Sequence, residues 1–150
     1  MKKLFVMMGI FSLFLFVTSA FSGNSLLGAK RGTLKVVVEG CKSDQGVARI
    51  ALANSIEGYK DSAKAFMTEK VQVNKGKAMY DFKDMPFGEY AVTVYHDENT
   101  NKKLDKSIFG KPTEAYGFSN NARGIIGSPD YKKAVFVLDK ADMTVTIRVE

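Results

Sequence analysis

The chain has 150 residues, a formal net charge of +6 and a single cysteine. One cysteine excludes an intramolecular disulfide, and 45% hydrophobic with 25% charged residues excludes an intrinsically disordered chain. The sequence pI is about 9.3, but the lysines are interleaved with acidic residues. Because no arginine-rich block or aromatic RNA-binding motif is present, we expect no nucleic-acid binding.

Residues 1–20 have the layout of a cleavable signal peptide. Lys2 and Lys3 precede an apolar run from Leu4 to Val17, and small residues end the segment at Ala20. A run of 14 residues is short of the roughly 20 that cross a bilayer as a stable helix. Cys41 lies too far beyond the run to accept a lipid. We therefore expect an exported protein, periplasmic or secreted, with no stable membrane anchor after cleavage.

The remaining chain predicts a flexible lead-in over 21–32 and one domain over 33–150, since its length fits a single core. Short runs in which apolar and polar residues alternate are typical of β-strands. Seven such runs cover 33–39, 47–54, 66–73, 77–82, 89–96, 134–138 and 143–149. The first two are expected to form a hairpin, and the third and fourth a second hairpin around Asn74-Lys75-Gly76.

These runs predict an all-β fold, a seven-stranded antiparallel Greek-key β-sandwich of the immunoglobulin-like or transthyretin-like kind. The turn and strand entry from Pro86 to Tyr90 supports a sandwich, because proline and glycine form the turn and the aromatic ring enters the core. Residues 98–132 carry no clear strand or helix, and loops of that length inside compact domains are often functional.

The long loop opens with oxygen-bearing side chains at alternate positions. Asp97, Asn99, Asn101 and Asp105 stand at relative positions 1, 3, 5 and 9, and Lys103 would offer its backbone carbonyl at position 7. Hard cations prefer such oxygen ligands, so Ca²⁺ is the candidate cofactor. Lys102 occupies position 6, where glycine would ease the turn, and Glu98 and Glu114 are the nearest further carboxylates. The alternative is that Asp and Asn only stabilise turns here.

A second segment, from Glu114 to Gly124, combines aromatic, amide and basic side chains. Its candidate ligand-binding residues are Tyr116, Phe118, Asn120, Asn121 and Arg123. They could stack on and hydrogen-bond a polar or anionic ligand, with the arginine holding a carboxylate or phosphate. The alternative is that the aromatics fix the loop to the sandwich and the amides satisfy its backbone.

Four short segments together resemble the bacterial family named domain of unknown function 2141. They are Val38-Glu39-Gly40, Pro86 to Val92, His96 to Asp105 and Tyr116 to Ala122, within a resemblance that runs from Val36 to the C-terminus. The resemblance implies a small exported protein with no established activity. Many relatives have glycine where this chain has Lys102.

Catalysis would most plausibly use His96, the only histidine, with Ser119 or Cys41 as nucleophile. No nucleophile motif surrounds either residue, and the parity of His96 with Tyr90 and Val94 places it at the core side of its strand. We therefore expect a non-enzymatic module that binds a ligand, an ion or an envelope protein through residues 97–132. The alternatives are a structural envelope protein and, less favoured, a hydrolase.

Overall fold

The computed structural model describes residues 30–150. The predicted signal peptide and residues 21–29 of the lead-in lie outside the described residues. Within 30–150 the chain forms eight strands, two short α-helices and two 3₁₀ helices, Ser62–Lys64 and Ser119–Asn121. The strands are β1 (Arg31–Glu39), β2 (Val47–Ala53), β3 (Met67–Gln72), β4 (Lys77–Pro86), β5 (Gly88–Asp97), β6 (Tyr116–Phe118), β7 (Phe136–Leu138) and β8 (Asp142–Arg148), and the helices are α1 (Ile56–Lys60) and α2 (Tyr131–Ala134).

The strands form two sheets. The smaller sheet has the order β4-β1-β8, and the larger has the order β3-β2-β5-β6. β7 also pairs with β5, at Gly88 to Tyr90, whereas β6 pairs with Thr93 to Tyr95. Both short strands therefore lie along the same edge of β5, one after the other.

One hydrophobic core fills the space between the sheets. Alternate residues of β1 and β2 point into it, such as Val36 and Ile50, and Val92 of β5 and Ile147 of β8 meet them. Each of these side chains is buried, and burying such a side chain stabilises the fold by about 1.5–3 kcal/mol. The period-two alternation read from the sequence thus identifies the core face correctly.

The two predicted hairpins are wrong, although all four of their strands form. β1 pairs with β4 and β8, whereas β2 pairs with β3 and β5, so β1 and β2 belong to different sheets. The turn at Asn74 to Lys77 closes as expected, with positive φ at Lys75 and Gly76. Beyond that turn β3 and β4 diverge into opposite sheets, because each finds its partners elsewhere.

Two further details differ from the predicted seven-stranded antiparallel fold. β1 and β8 run parallel, with Val36 opposite Val145. The additional strand is β6, which interrupts the stretch over 98–132 that had no predicted element. At three residues, β6 is too short for an alternating pattern to be recognised. Among the described residues, no helix is long and apolar enough to cross a membrane.

Candidate functional site

Asp97 ends β5 and forms the floor of the candidate calcium loop. Its carboxylate is fully buried, and Oδ2 accepts hydrogen bonds from Arg49 Nε at 2.5 Å and from the Lys102 backbone N–H at 3.0 Å. Burial by itself would raise the pKa of Asp97, but the Arg49 guanidinium and the Lys102 N–H outweigh it and lower the pKa below its usual value. Oδ1, in contrast, is buried and has no hydrogen-bond partner within residues 30–150.

Asn99, Asn101 and Asp105 are held together above this floor. Asn99 Nδ2 donates to Asp105 Oδ2 at 2.6 Å, and Asn101 Nδ2 donates to Asp105 Oδ1 at 2.9 Å. The amide oxygens accept from the backbone two residues on, Asn99 from Asn101 N and Asn101 from Lys103 N. The structure therefore brings together the polar heads of these three predicted residues, while Lys103 takes part through its backbone N–H and not through the carbonyl that the sequence suggested.

Glu114 closes the loop at its base. This buried carboxylate accepts from the Glu98 N–H through Oε1 and from the Asp105 N–H through Oε2, both at 3.0 Å. Glu98 itself accepts from Ser43 Oγ at 3.0 Å. Both acids that the sequence marked as further ligand candidates thus accept hydrogen bonds from the protein: Glu98 from Ser43, and Glu114 from the two ends of the loop.

The donor set is rich in amides rather than carboxylates. In the part of the chain that the structure describes, no group of three or more His, Cys, Asp or Glu side chains is arranged to hold a metal. Asp97 and Asp105 contribute the carboxylates, and the remaining oxygens come from Asn99, Asn101 and the backbone. Lys102 has φ 69°, a left-handed conformation that glycine adopts more readily, as the sequence pattern suggested.

Arg49 is the residue of this site that sequence reasoning missed. It lies on β2, 48 positions before Asp97 in the chain, and its side chain is 22% exposed. The register places Arg49 opposite Tyr95, on the same outward face as Asp97 two residues later. No local pattern could reveal this pairing, because it depends on which strand lies beside β5.

The second candidate segment uses its polar groups on the protein's own backbone. Asn120 Nδ2 donates to the carbonyls of Val135 at 2.8 Å and Lys133 at 3.2 Å, and Asn121 Oδ1 accepts from the Arg148 N–H at 2.9 Å. Both asparagines have positive φ, which asparagine tolerates better than most residues. Asn120 is therefore directed toward β7 and Asn121 toward β8.

The aromatic and basic residues of this segment are also engaged. Phe118 is buried against Tyr59, and Tyr116 packs edge-on against Phe118 with ring centroids 5.9 Å apart. The exposed Arg123 donates to Glu150 Oε1 at 2.8 Å. These contacts support the structural alternative for the segment, since its five candidate residues point to different neighbours rather than around one centre.

Gly117 and Ser119 explain why the segment has this sequence. A side chain at Gly117 would meet the Arg148 carbonyl at 2.6 Å, so only glycine lets β6 lie this close to β8. Ser119 Oγ is buried, accepts from the Val92 N–H at 2.9 Å and donates to the Ala134 carbonyl at 2.5 Å. The hydroxyl satisfies a backbone donor of β5 and the last residue of α2, a structural role.

His96 and Cys41 are both in the core. His96 is fully buried with Nε2 2.8 Å from the Gln45 carbonyl, and Nδ1 lies 3.9 Å from Glu98 Oε1. Burial raises the pKa of the Cys41 thiol to about 11, which keeps it protonated and unreactive at neutral pH. The interpretation of Cys41 as a small apolar residue agrees with its environment.

Comparison with known proteins gives a family but no activity. Residues 36–146 match the family described as "Uncharacterized protein conserved in bacteria", domain of unknown function 2141. No curated protein and no solved structure matches the chain. The matched segment includes all four motifs on which the resemblance rested and covers most of the chain. The chain belongs to this uncharacterized bacterial family.

Proposed function

We propose that this protein is an exported, non-enzymatic binding module whose loop from Asp97 to Asp105 takes a calcium ion. The observation that supports it most is the unpartnered Oδ1 of the buried Asp97 carboxylate. A buried carboxylate oxygen without a partner is costly, whereas a bound cation would satisfy it. Oδ2 is already held by Arg49 and Lys102, so the carboxylate is oriented without using its free oxygen.

The rest of the donor set suits a hard cation. Asp105 receives two amide N–H groups, which a positive ion at the same carboxylate would replace. Asn99 and Asn101 each use one amide oxygen for a backbone N–H, and each oxygen has a second lone pair. Oxygen ligands at alternate positions of a short loop are the arrangement by which proteins wrap Ca²⁺.

Lysines beside the loop weaken the attraction for a cation only in part. Lys102, Lys103 and Lys106 are exposed, so water and salt screen their charges. Since Asp97 is buried, its interaction with an ion is screened much less than theirs. We expect affinity suited to the millimolar calcium of many extracellular settings rather than to the cytosol.

Export and the finer fold assignment belong to the same proposal. Export is supported by the basic, apolar and small-residue segments of residues 1–20. A Greek-key sandwich of immunoglobulin-like or transthyretin-like type is supported by two sheets around one core and by four connections that cross between them, β1 to β2, β3 to β4, β4 to β5 and β7 to β8. The parallel β1–β8 pair distinguishes this topology from a wholly antiparallel one.

Isothermal titration with CaCl₂ and thermal unfolding in Ca²⁺ or chelator test the calcium site. Asp105→Asn is the informative variant, because it removes one negative charge and leaves the Arg49–Asp97 pair intact. We expect millimolar Ca²⁺ to raise the melting temperature of the wild type and to leave Asp105→Asn unchanged. The rise in melting temperature follows from mass action, since an ion that binds only the folded state stabilises that state.

Asp44→Asn is the matched control. Asp44 is also an exposed loop carboxylate that accepts two hydrogen bonds, from the N–H groups of Lys75 and Gly76. This variant should keep the full calcium response. If neither the melting temperature nor the titration heat of the wild type responds to Ca²⁺, the calcium proposal is wrong and the loop only stabilises the fold.

A structural envelope protein is the second candidate. The segment 116–123 favours it, because its amides and arginine bind other parts of the same chain. The combined variant Asn120→Ala, Asn121→Ala, Arg123→Ala separates the two functions. Under the calcium proposal this variant loses stability but keeps its response to Ca²⁺, whereas a purely structural protein has no such response to keep.

A further inference from the structure

A tight hairpin within the long loop carries two large apolar side chains at its tip. Lys106 and Pro112 form a β-bridge, the Ser107 N–H donates to the Lys111 carbonyl, and the Gly110 N–H donates to the Ser107 carbonyl, each at 2.8 Å. Ile108 and Phe109 occupy the turn and are 95% and 90% exposed. The turn therefore holds both side chains away from the core.

A second loop repeats this feature. Ile125 and Ile126 are 98% and 94% exposed, between Gly124 and Gly127. Single exposed apolar residues are ordinary on protein surfaces, whereas contiguous exposed apolar patches with a polar rim mark sites that contact a protein or a membrane. These four side chains are the most exposed large apolar residues in the described chain.

Positive charge surrounds the first tip. Lys106 and Lys111 flank Ile108 and Phe109 on the two sides of the hairpin, and Lys102 and Lys103 precede it. All four lysines are exposed, and none forms an ion pair within residues 30–150. Exposed lysines without ion-pair partners give this surface a positive potential, which attracts anionic groups.

Three of these lysines, Lys102, Lys103 and Lys106, border an open groove on the outer face of the larger sheet. The groove has a volume of about 950 Å³, and its cationic lining residues are Arg49, Lys60, Lys70, Lys102, Lys103 and Lys106. Among the described residues, Glu69 is the one acidic residue that lines it. The register aligns Lys70, Arg49, Tyr95 and Tyr116 in one row across the sheet, in which Arg49 is already paired with Asp97 and Lys70 is the remaining positive charge.

We propose that the protein docks reversibly on an anionic lipid bilayer, with Ile108 and Phe109 inserted between headgroups and the surrounding lysines on their phosphates. An apolar tip and a cationic rim together match an interface that is apolar below and anionic above. A protein partner would have to combine an acidic surface with an apolar pocket, whereas a bilayer offers both everywhere. Because the tip and its lysines require no metal, docking does not depend on the calcium proposal.

Cosedimentation with vesicles tests the docking surface. Residues 30–150 contain both sheets and the core, and they lack the apolar run of residues 4–17 that would bind lipid unspecifically. We expect binding to vesicles of phosphatidylcholine with about 30% phosphatidylglycerol and loss of that binding at high salt. Binding to vesicles of phosphatidylcholine alone should be about tenfold weaker. Measurements in chelator and in Ca²⁺ separate a failure of docking from a failure of the calcium site.

Two pairs of variants identify the contact. Ile108→Ser with Phe109→Ser should lower the vesicle partition coefficient at least about tenfold, since insertion of each side chain is lost. Met79→Ser, at an exposed apolar residue of β4, is its matched control and should bind as the wild type does. Lys106→Gln with Lys111→Gln should abolish the preference for anionic vesicles, whereas Lys35→Gln with Lys83→Gln should retain it.

Three outcomes would overturn the proposal. One is the absence of wild-type binding to anionic vesicles, which would point to a protein partner for the tip. Another is unchanged binding by the Ile108→Ser, Phe109→Ser variant, which would leave the tip without a role. The third is displacement of the protein from vesicles by millimolar glycerol phosphate, which would assign the lysines to a soluble anion instead of a membrane.

Discussion

The loop from Asp97 to Asp105 and the segment from Tyr116 to Arg123 contain similar residues and use them differently. Both combine asparagines with a charged side chain in turns with positive φ. In the first, polar side chains gather on each other, and one buried carboxylate oxygen has no hydrogen-bond partner in the described part of the chain. In the second, each amide reaches a different backbone group of a neighbouring element.

The difference shows that residue type does not distinguish a binding loop from a structural one. What distinguishes them is whether the polar groups are already satisfied, because a hydrogen-bonded amide has little to offer a ligand. By this criterion the first loop is the candidate site, and the second segment connects the larger sheet to β8. Substitutions in each of the two segments test this distinction.

The largest effect on stability is expected in the segment from Tyr116 to Arg123. Ser119→Ala leaves the Val92 N–H and the Ala134 carbonyl unsatisfied in the interior, which should lower the free energy of unfolding by about 2–4 kcal/mol. Urea denaturation measures this loss, and Ser128→Ala, at an exposed residue, is the control. A loss below about 0.5 kcal/mol for Ser119→Ala would show that this segment contributes little to the stability of the fold.

A smaller effect is expected at the floor of the calcium loop. Asp97→Asn removes the ion pair with the partly exposed Arg49, which should cost about 2 kcal/mol at neutral pH. The folded-state pKa of Asp97 lies below its usual value of about 3.9, so its contribution to stability is complete above the unfolded-state pKa. That contribution is then lost as the pH falls through the folded-state pKa.

Urea denaturation between neutral pH and the acid range checks this pH dependence. The wild type should lose stability below about pH 4 more steeply than Asp97→Asn. Asp81→Asn, which removes the same charge at an exposed position of β4, should follow the wild-type profile. Identical profiles for the wild type and Asp97→Asn would mean that Asp97 carries no stabilising charge in the folded protein.

The smallest effect on stability is expected at Lys102, a residue that influences both the stability of the loop and its affinity for calcium. Lys102→Gly relieves a left-handed conformation and should raise stability by about 1 kcal/mol. It also removes a positive charge beside the oxygens, so calcium affinity should rise. Lys103→Gly removes the same charge at a residue without positive φ and should not stabilise the protein. Equal effects of the two variants on stability would argue against strain at Lys102.

Much of the fold could be read from the sequence. All seven predicted strands are present, and His96 lies on the core side as the parity of β5 indicated. The partners of these strands could not be predicted, so both expected hairpins were wrong and the parallel β1–β8 pair was not anticipated. β6 was missed, and Ala134 ends α2 rather than opening β7.

The candidate site was predictable to the same degree. The spacing of Asp97, Asn99, Asn101 and Asp105 identified a loop whose polar heads do converge, because alternate positions in a short turn are close in space. Arg49, which pairs with Asp97, and Glu114, which accepts from both ends of the loop, come from distant positions in the chain and left no local signal. The sequence left the five residues over 116–123 with a binding and a structural interpretation, and only their contacts with distant elements favour the structural one.

The sequence by itself determined where strands form, which of their faces are apolar and where the unusual loops lie, since these depend on residues a few positions apart. Tertiary structure decided which strands pair, which polar groups remain unsatisfied and which apolar side chains stay outside the core. Those outcomes depend on residues brought together from distant parts of the chain. The free oxygen of Asp97 and the exposed pair Ile108 and Phe109, on which both proposals rest, are of this second kind.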